Sequence, residues 1–394
     1  MGVVAAIIGL AVLVMIHEAG HFFAARAVGM TPRKFYLGFG PPIAKTVRGG
    51  VEYGIGSIPL GGYVKIPGMN RPSPGDLAAA MRPDDRETYR AELARLDDAI
   101  VHDDVPRAEA ALEELRPALG TTRVWQELEW SLAPDAYWRQ ATWRRLTAIF
   151  AGPAVNLLFA LVLFTCLYMV AVERGTTTIG DVRANTPAAS AHLKKGDDVL
   201  RVAGTQVKSF DDITKLIRAT KGTPFTIVVR RNGQRTVIGP LRATQMQGAY
   251  RIGIAIEQRV GPGESPPAAF ADALGLTWAI TADTVRGIGH LATGRDTNQV
   301  SSSVGIVRVS AQAWRDGLRY FLSVLGLVSL ALGLLNLLPV LPLDGGHIVM
   351  ALVEKVRGRT FPQAVYIRYS VVGLTLFAVL MYFGLRNDLF GGGG

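Results

Sequence analysis

The chain has 394 residues, of which 49% are hydrophobic and 19% charged, with 44 glycines and a single cysteine. A mean hydropathy of +0.24 excludes a disordered chain and argues against an ordinary soluble protein, and the lone Cys166 excludes an intramolecular disulfide or a multi-cysteine metal site. The net charge of +10 fits loops beside anionic lipid in a chain this apolar, and no nucleic-acid partner is expected.

Four apolar blocks are long enough to be membrane spans. The first, 1–28, opens with GVVAAIIGLAVLVMI and carries HEAGH within it. No basic residue precedes it and the ionisable cluster lies inside it, so it reads as a retained span rather than a signal peptide. Next comes 29–69, where KFYLGFGPPIAKTVRGGVEYGIGSIPLGGYVKI reads as a β region turning at Gly49-Gly50. Residues 70–145 are charged and alanine-rich, and RETYRAELARLDDAI and RAEAALEELRPAL fit two short helices with i,i+4 charge pairs. Trp125, Trp130, Trp138 and Trp143 precede the second span, 146–172, as an interfacial belt would.

From 176 to 256 the pattern changes to short strands and one helix. Asn232-Gly233 marks a hairpin, and Ser209 with Asp212 opens a helix at SFDDITKLIRAT. Residues 257–319 read as a linker and an amphipathic segment near 268–291, suited to lie against the membrane. The third span is read over 320–350, the fourth over 366–386, and 387–394 as a tail ending in GGGG. The expected fold is thus a polytopic α-helical membrane protein of about four transmembrane helices, with a membrane-associated β-hairpin region and an inserted α+β domain. Basic residues abutting spans one and two (Arg26, Arg33, Lys34, Arg139, Arg144, Arg145), and Lys355, Arg357, Arg359 and Arg368 in the last loop, put the 29–145 and 341–368 loops in the cytoplasm. Both termini and the 176–256 domain then lie outside it.

HEAGH supplies His17, Glu18 and His21. On a helix the two imidazoles share a face and can reach one ion, while the glutamate can address water bound to it, which is the zincin arrangement. Ionisable groups inside an apolar span are costly and functional by default. A catalytic zinc usually takes a third protein ligand. Asp344, after the helix-breaking Pro339 and Pro342 and before Gly345-Gly346, is one candidate, and His347 is its rival.

Together, HEAGH and NLLPVLPLDGG resemble the site-2 protease family of intramembrane zinc metalloproteases, and within it the bacterial regulator-of-sigma-E protease branch. The family's LDG falls on Leu343, Asp344 and Gly345, its Asn-Pro element on Asn336 and Pro339, and its GPxxN on Gly152, Pro153 and Asn156. GFGP and IPLGGYVKIPGM resemble its membrane-associated hairpin, and TPAASAHLKKGDDVLRVAGTQV resembles a PDZ pattern. The sequence departs from the family in the position of Pro342, in a longer 70–138 insertion, and in having one PDZ-like domain rather than two. The resemblance implies zinc held by His17, His21 and Asp344, with Glu18 as base and proton shuttle.

Cutting a transmembrane helix requires unwinding it, and a strand that pairs with the opened segment offsets the cost of exposed amides in lipid. Gly38, Phe39, Gly40 and Pro41 are the candidate substrate-binding strand, and Asn336 the candidate to hold the unwound backbone, unless it satisfies a helix end instead. The implied activity is hydrolysis of a peptide bond within transmembrane segments of single-pass membrane proteins already cut outside the membrane. By the resemblance these are anti-sigma factors or remnant signal peptides, cut in regulated intramembrane proteolysis at the bacterial inner membrane. The rival reading is a non-catalytic scaffold that binds peptides through its PDZ-like domain.

Overall fold

The computed structural model describes residues 1–69, 74–119, 122–246, 249–292 and 303–390. Among them, four helices are long and apolar enough to cross a membrane: Gly2–Ala27, Thr142–Val170, Leu318–Asn336 and Gln363–Asp388. The chain is a multi-pass membrane protein that divides into two compact units, 1–164 with 270–394, and 165–269.

The first unit starts with α1 (Gly2–Ala27). Its 26 residues extend about 39 Å at 1.5 Å per residue, enough for a hydrocarbon layer of roughly 30 Å. Strands β1 (Lys34–Arg48) and β2 (Val51–Lys65) follow. Both fold back on themselves, so Lys34–Leu37 is in register with Glu52–Ile55 on one side and with Gly62–Lys65 on the other. The ladder therefore runs 62–65, 34–37, 52–55, 44–48, with 62–65 at one edge. Gly38 and Gly40 have positive φ, 84° and 86°, at the point where β1 kinks.

Six helices come next: α2 (Pro74–Ala80), α3 (Pro83–Thr88), α4 (Arg90–Val101), α5 (Val105–Glu114), α6 (Arg116–Leu119) and α7 (Arg123–Leu132), then a 3₁₀ turn at Tyr137–Arg139. Six helices stand where the sequence suggests two. Leu77, Met81, Leu96, Leu112, Leu115, Trp125, Leu128 and Leu132 form a core of their own. Trp125 is buried in it and donates Nε1–H to the Leu112 carbonyl, 3.4 Å, so it belongs to no interfacial belt. Trp138 likewise donates to Ser131 O, whereas Trp143 is exposed.

Helix α8 (Thr142–Val170) packs between α1 and a later helix, α13 (Leu318–Asn336). A Cβ at Gly20 of α1 would lie 2.6 Å from the Ala151 carbonyl oxygen of α8. Small residues of this kind let helices approach closely where lipid offers no hydrophobic drive.

The second unit carries β3 (Ala171–Val182), α9 (Pro187–Ser190), β4 (Asp198–Val202), β5 (Thr205–Gln206), α10 (Phe210–Ala219), β6 (Phe225–Arg231), β7 (Gln234–Leu241), β8 (Thr244–Met246), β9 (Ala249–Arg251) and β10 (Ile254–Pro262). Its main sheet is antiparallel in the order β10-β3-β4-β6-β7, with β5 on β4. Ile213 and Ile217 of α10 pack with Val199, Val202, Ile227, Val229 and Ile252 in its core. Ser209 and Asp212 close a capping box at α10, and Asn232 and Gly233 both have positive φ in the β6–β7 turn.

The connection into α11 (Pro266–Ala292) is only residues 263–265, shorter than the linker the sequence suggests. Then follow α12 (Ser303–Asp316), α13, α14 (Asp344–Arg357) and α15 (Gln363–Phe390). The third apolar block is thus not one helix over 320–350: α13 stops at Asn336, and α14 begins at Asp344 after the segment holding Pro339 and Pro342. Residues 387–390 belong to α15 rather than to a tail, and the terminal GGGG lies outside the described residues. Helix α12 packs on α1 and α13, where Trp314 meets Phe321 edge-on at 5.1 Å.

Candidate metal centre

His17 and His21 lie one turn apart on α1, and both are buried. Fifteen residues from Gly2 put His17 about 22 Å along the helix, well inside the apolar stretch. The two Nε2 atoms are 3.2 Å apart. Asp344, the first residue of α14, brings its Oδ2 to 3.1 Å from His17 Nε2 and 3.4 Å from His21 Nε2. Among the described residues, these three offer ligand atoms that all lie within 4.8 Å of one another.

Asp344 Oδ2 is buried and faces both Nε2 atoms, so one carboxylate oxygen and two imidazole nitrogens converge on a single spot. Two nitrogens and one oxygen form the donor set of a catalytic zinc with a position left open, so the residues fit that metal. His347, the rival ligand, is not part of the cluster; its ring faces Tyr366 at 6.3 Å.

Helix α8 orients the imidazoles. His21 Nδ1 is 2.9 Å from the Ala148 carbonyl. That contact fixes the Nδ1–H tautomer and leaves Nε2 free to ligate. Asn156, fully buried, brings Nδ2 to 3.5 Å from His17 Nδ1, while its Oδ1 has no partner. With Nε2 on a metal, His17 Nδ1 carries a proton, and rotating the amide by half a turn supplies Oδ1 to accept it. Ser329 of α13 donates to the Asn156 carbonyl, 3.0 Å. In the sequence Asn156 stands only as part of GPxxN; a lone amide in an apolar span is the signal that marks it.

Glu18 follows His17 on α1, and its carboxylate lies near the Val64 backbone. A Cβ on Gly62 would be 3.1 Å from Glu18 Cγ. The ladder edge 62–65 is therefore what lies beside Glu18. Gly38–Pro41, expected from the sequence to be the substrate-binding strand, belong to the neighbouring stretch; Leu37 pairs with Gly62 and exposed Phe39 stacks on Tyr63 at 6.2 Å. Asn336 donates its amide to Leu332 O, 2.9 Å, at the end of its own helix, the alternative role the sequence leaves open.

A model of peptidase family M50 matches residues 5–380. Among curated relatives, the chain is 30% identical to "Putative zinc metalloprotease mll0638" of Mesorhizobium japonicum, across 97% of this chain and 96% of that one. It is 29% identical to metalloprotease MmpA of Caulobacter vibrioides, across 96% and 93%. It is 28% identical to "Probable protease eep" of Enterococcus faecalis, across 97% of each.

Proposed function

The chain belongs to peptidase family M50 and is a zinc metalloprotease, and from that premise we propose that it cuts a peptide bond within a transmembrane segment, with zinc held by His17, His21 and Asp344. One observation carries the reading: the three ligand atoms converge within 4.8 Å, with both histidines on a helix apolar enough to cross a bilayer. Bound there, zinc supplies Lewis acidity, acidifying water and polarising a carbonyl. Glu18 takes the proton from the attacking water and delivers it to the leaving amide nitrogen. The close approach of Gly62 to Glu18 Cγ keeps the carboxylate beside the ladder edge.

That edge is the better candidate for substrate pairing. An unwound segment added along 62–65 would have its amides satisfied within reach of Glu18, which offsets the cost of unwinding in lipid. Gly38, Phe39, Gly40 and Pro41 support this edge from the next strand, and Asn336 lies in the last turn of α13, its amide on the Leu332 carbonyl.

The substrates in this reading are single-pass membrane proteins already shortened outside the membrane, either anti-sigma factors or remnant signal peptides, and the enzyme works at the bacterial inner membrane. The 29–145 and 341–368 loops face the cytoplasm. Unit 165–269 acts as a PDZ-like module that selects shortened substrates; its antiparallel sheet and the capped helices α9 and α10 support that assignment.

The test is Glu18→Gln in purified protein. Zinc content should stay near one per chain while cleavage of a transmembrane peptide falls by about 10²–10⁴-fold, the weight of a general base. Full turnover by this variant would refute the assigned base. If instead the variant still supports function in cells where parent protein also cleaves nothing, the scaffold reading takes over. Precursors accumulating in membranes of Glu18→Gln cells identify the substrates.

A further inference from the structure

Glu354 sits on α14, the helix that begins with Asp344, and is buried. Its Oε2 is 2.5 Å from Nη2 of Arg145 on α8, and the two side chains are only 4% and 6% exposed. The other oxygen accepts the Phe361 N–H at 2.8 Å and the Tyr366 hydroxyl at 3.1 Å. Arg145 is held on its other side by the Tyr137 ring, 4.7 Å to the centroid. The carboxylate thus has three donors and cannot swing.

This pair does not reach the reacting atoms, yet both its helices do. Along α8, Arg145 is followed by Ala148, which accepts from His21, by Gly152, whose missing side chain makes room for the His21 ring, and by Asn156, which meets His17. The intervals of three, four and four residues keep all of them on one face. One stripe of α8 therefore grips α14 at one end and the two histidines at the other.

Apolar and backbone contacts also hold α14: Ile348 packs on the cluster of Ala25, Tyr137, Ala148 and Ile149, and Gly345 and Gly346 press on the 337–341 backbone. Leu352, Val353 and Val356 are exposed, and the buried positions are Gly345, Gly346, Met350, Ala351 and Glu354. A buried ion pair is weak evidence for stability, since apolar residues of similar volume often pack as well or better. What it adds is a fixed geometry.

We infer that Arg145 and Glu354 are positioning residues of the metal centre: they lock α14 to α8 so that the Asp344 carboxylate meets the Nε2 atoms of His17 and His21. The inference rests on reading those three residues as the zinc ligands.

The experiment compares full-length protein with the double variant Arg145→Met/Glu354→Leu, which removes both charges at similar volume. Zinc affinity is read by chelator competition, folding by thermal unfolding, and kcat and KM on a transmembrane peptide. The double variant should still fold, with a lower unfolding temperature because the Phe361 N–H and the Tyr366 hydroxyl lose their acceptor. Its zinc affinity should drop by about 10–100-fold, the usual cost of losing an outer-shell partner, and kcat should fall with KM unchanged. Parent-like zinc affinity and kcat in a folded double variant would overturn the inference. Should that variant fail to accumulate, Arg145→Lys decides: it keeps the charge but loses the fork, so it should bind zinc more weakly than the parent, and parent affinity there overturns the inference equally. A parent protein that binds no zinc refutes the ligand reading instead, and does so before any substitution is made.

Discussion

Replacing Gly152 by alanine tests the close fit of α8 against the metal centre with a single methyl group. A Cβ built at Gly152 would stand 2.5 Å from His21 Cε1 and 2.8 Å from Cδ2, with Nε2 nearer still. Carbon atoms in contact settle at about 3.5–4.0 Å, so the imidazole or α8 must move by about 1 Å. Metal–ligand distances tolerate only about 0.2 Å, and catalytic groups about 0.5 Å. The ring cannot retreat freely, because Nδ1 is tied to Ala148 O at 2.9 Å on the same helix. Gly152→Ala should therefore lower zinc affinity by at least 100-fold while the protein still inserts and folds. Gly275→Ala is the control: its Cβ meets nothing within 4 Å, so zinc binding should be unchanged. The measurement is zinc affinity by chelator competition, with thermal unfolding alongside. Parent-like zinc affinity in Gly152→Ala would mean that His21 is not a ligand in the geometry described.

Asp344→Ala should lower zinc occupancy, measured as metal content per chain, whereas His347→Ala should leave it near the parent value; the reverse pattern would transfer the third-ligand role to His347. Glu52 sets the acid limit of the hairpin. Hydrogen bonding from the Tyr36 hydroxyl at 2.6 Å, then pairing with Lys34, holds its pKa down to about 2 from an ordinary 4.5. A depressed carboxylate stabilises the fold above its unfolded pKa and loses that contribution as pH falls through its folded one. The β1–β2 amides should thus lose hydrogen-exchange protection between about pH 4.5 and pH 2, after correction for intrinsic rates. Glu52→Gln should abolish the pH dependence; an equal loss in that variant would place its origin elsewhere.

How much of the molecule is legible in its sequence depends on the distance over which each feature is decided. The facing of His17 and His21 follows from helical spacing alone, and so do the Ser209–Asp212 cap and the Asn232-Gly233 turn, because each is settled within one turn of chain. The approach of Asp344 to the histidines is decided by how α1, α8 and α14 pack, and no local spacing encodes that. The edge strand is hidden for the same reason. Gly38–Pro41 and Gly62–Val64 both look like punctuated strand, and only the register, with 34–37 taken up on both sides, leaves 62–65 as the edge beside Glu18. In the insertion, short charged helices carry no apolar run long enough to announce a core. Leu77, Leu96, Leu112 and Leu128 make a core only once α2, α4, α5 and α7 are assembled. Trp125 looks like part of a belt because it lies near a span in sequence, which says nothing of whether its ring faces lipid or protein.

The break between α13 and α14 shows why an aspartate can reach such a centre. Carboxylates at membrane depth and unpaired amides in lipid each cost several kilocalories, so interrupting a helix there is doubly unfavourable. Pro339 and Pro342 lower the second cost by having no N–H to satisfy. Leu337, Leu338, Val340 and Leu343 donate to carbonyls within or just before the segment. The Pro339 carbonyl accepts the Tyr369 hydroxyl of α15, and at Gly373 α15 comes close enough that a side chain there would run into the Leu341 carbonyl. The first cost is met by position: Asp344 opens α14, where the helix dipole favours an anion, and Gly345 lets that first turn press onto the Leu337 and Leu338 carbonyls. A continuous helix from Leu318 to Arg357 would bury Asp344 mid-helix, without the dipole's help. The interruption is thus what makes a carboxylate ligand tolerable at this depth, and the two imidazoles define the point at which it must end.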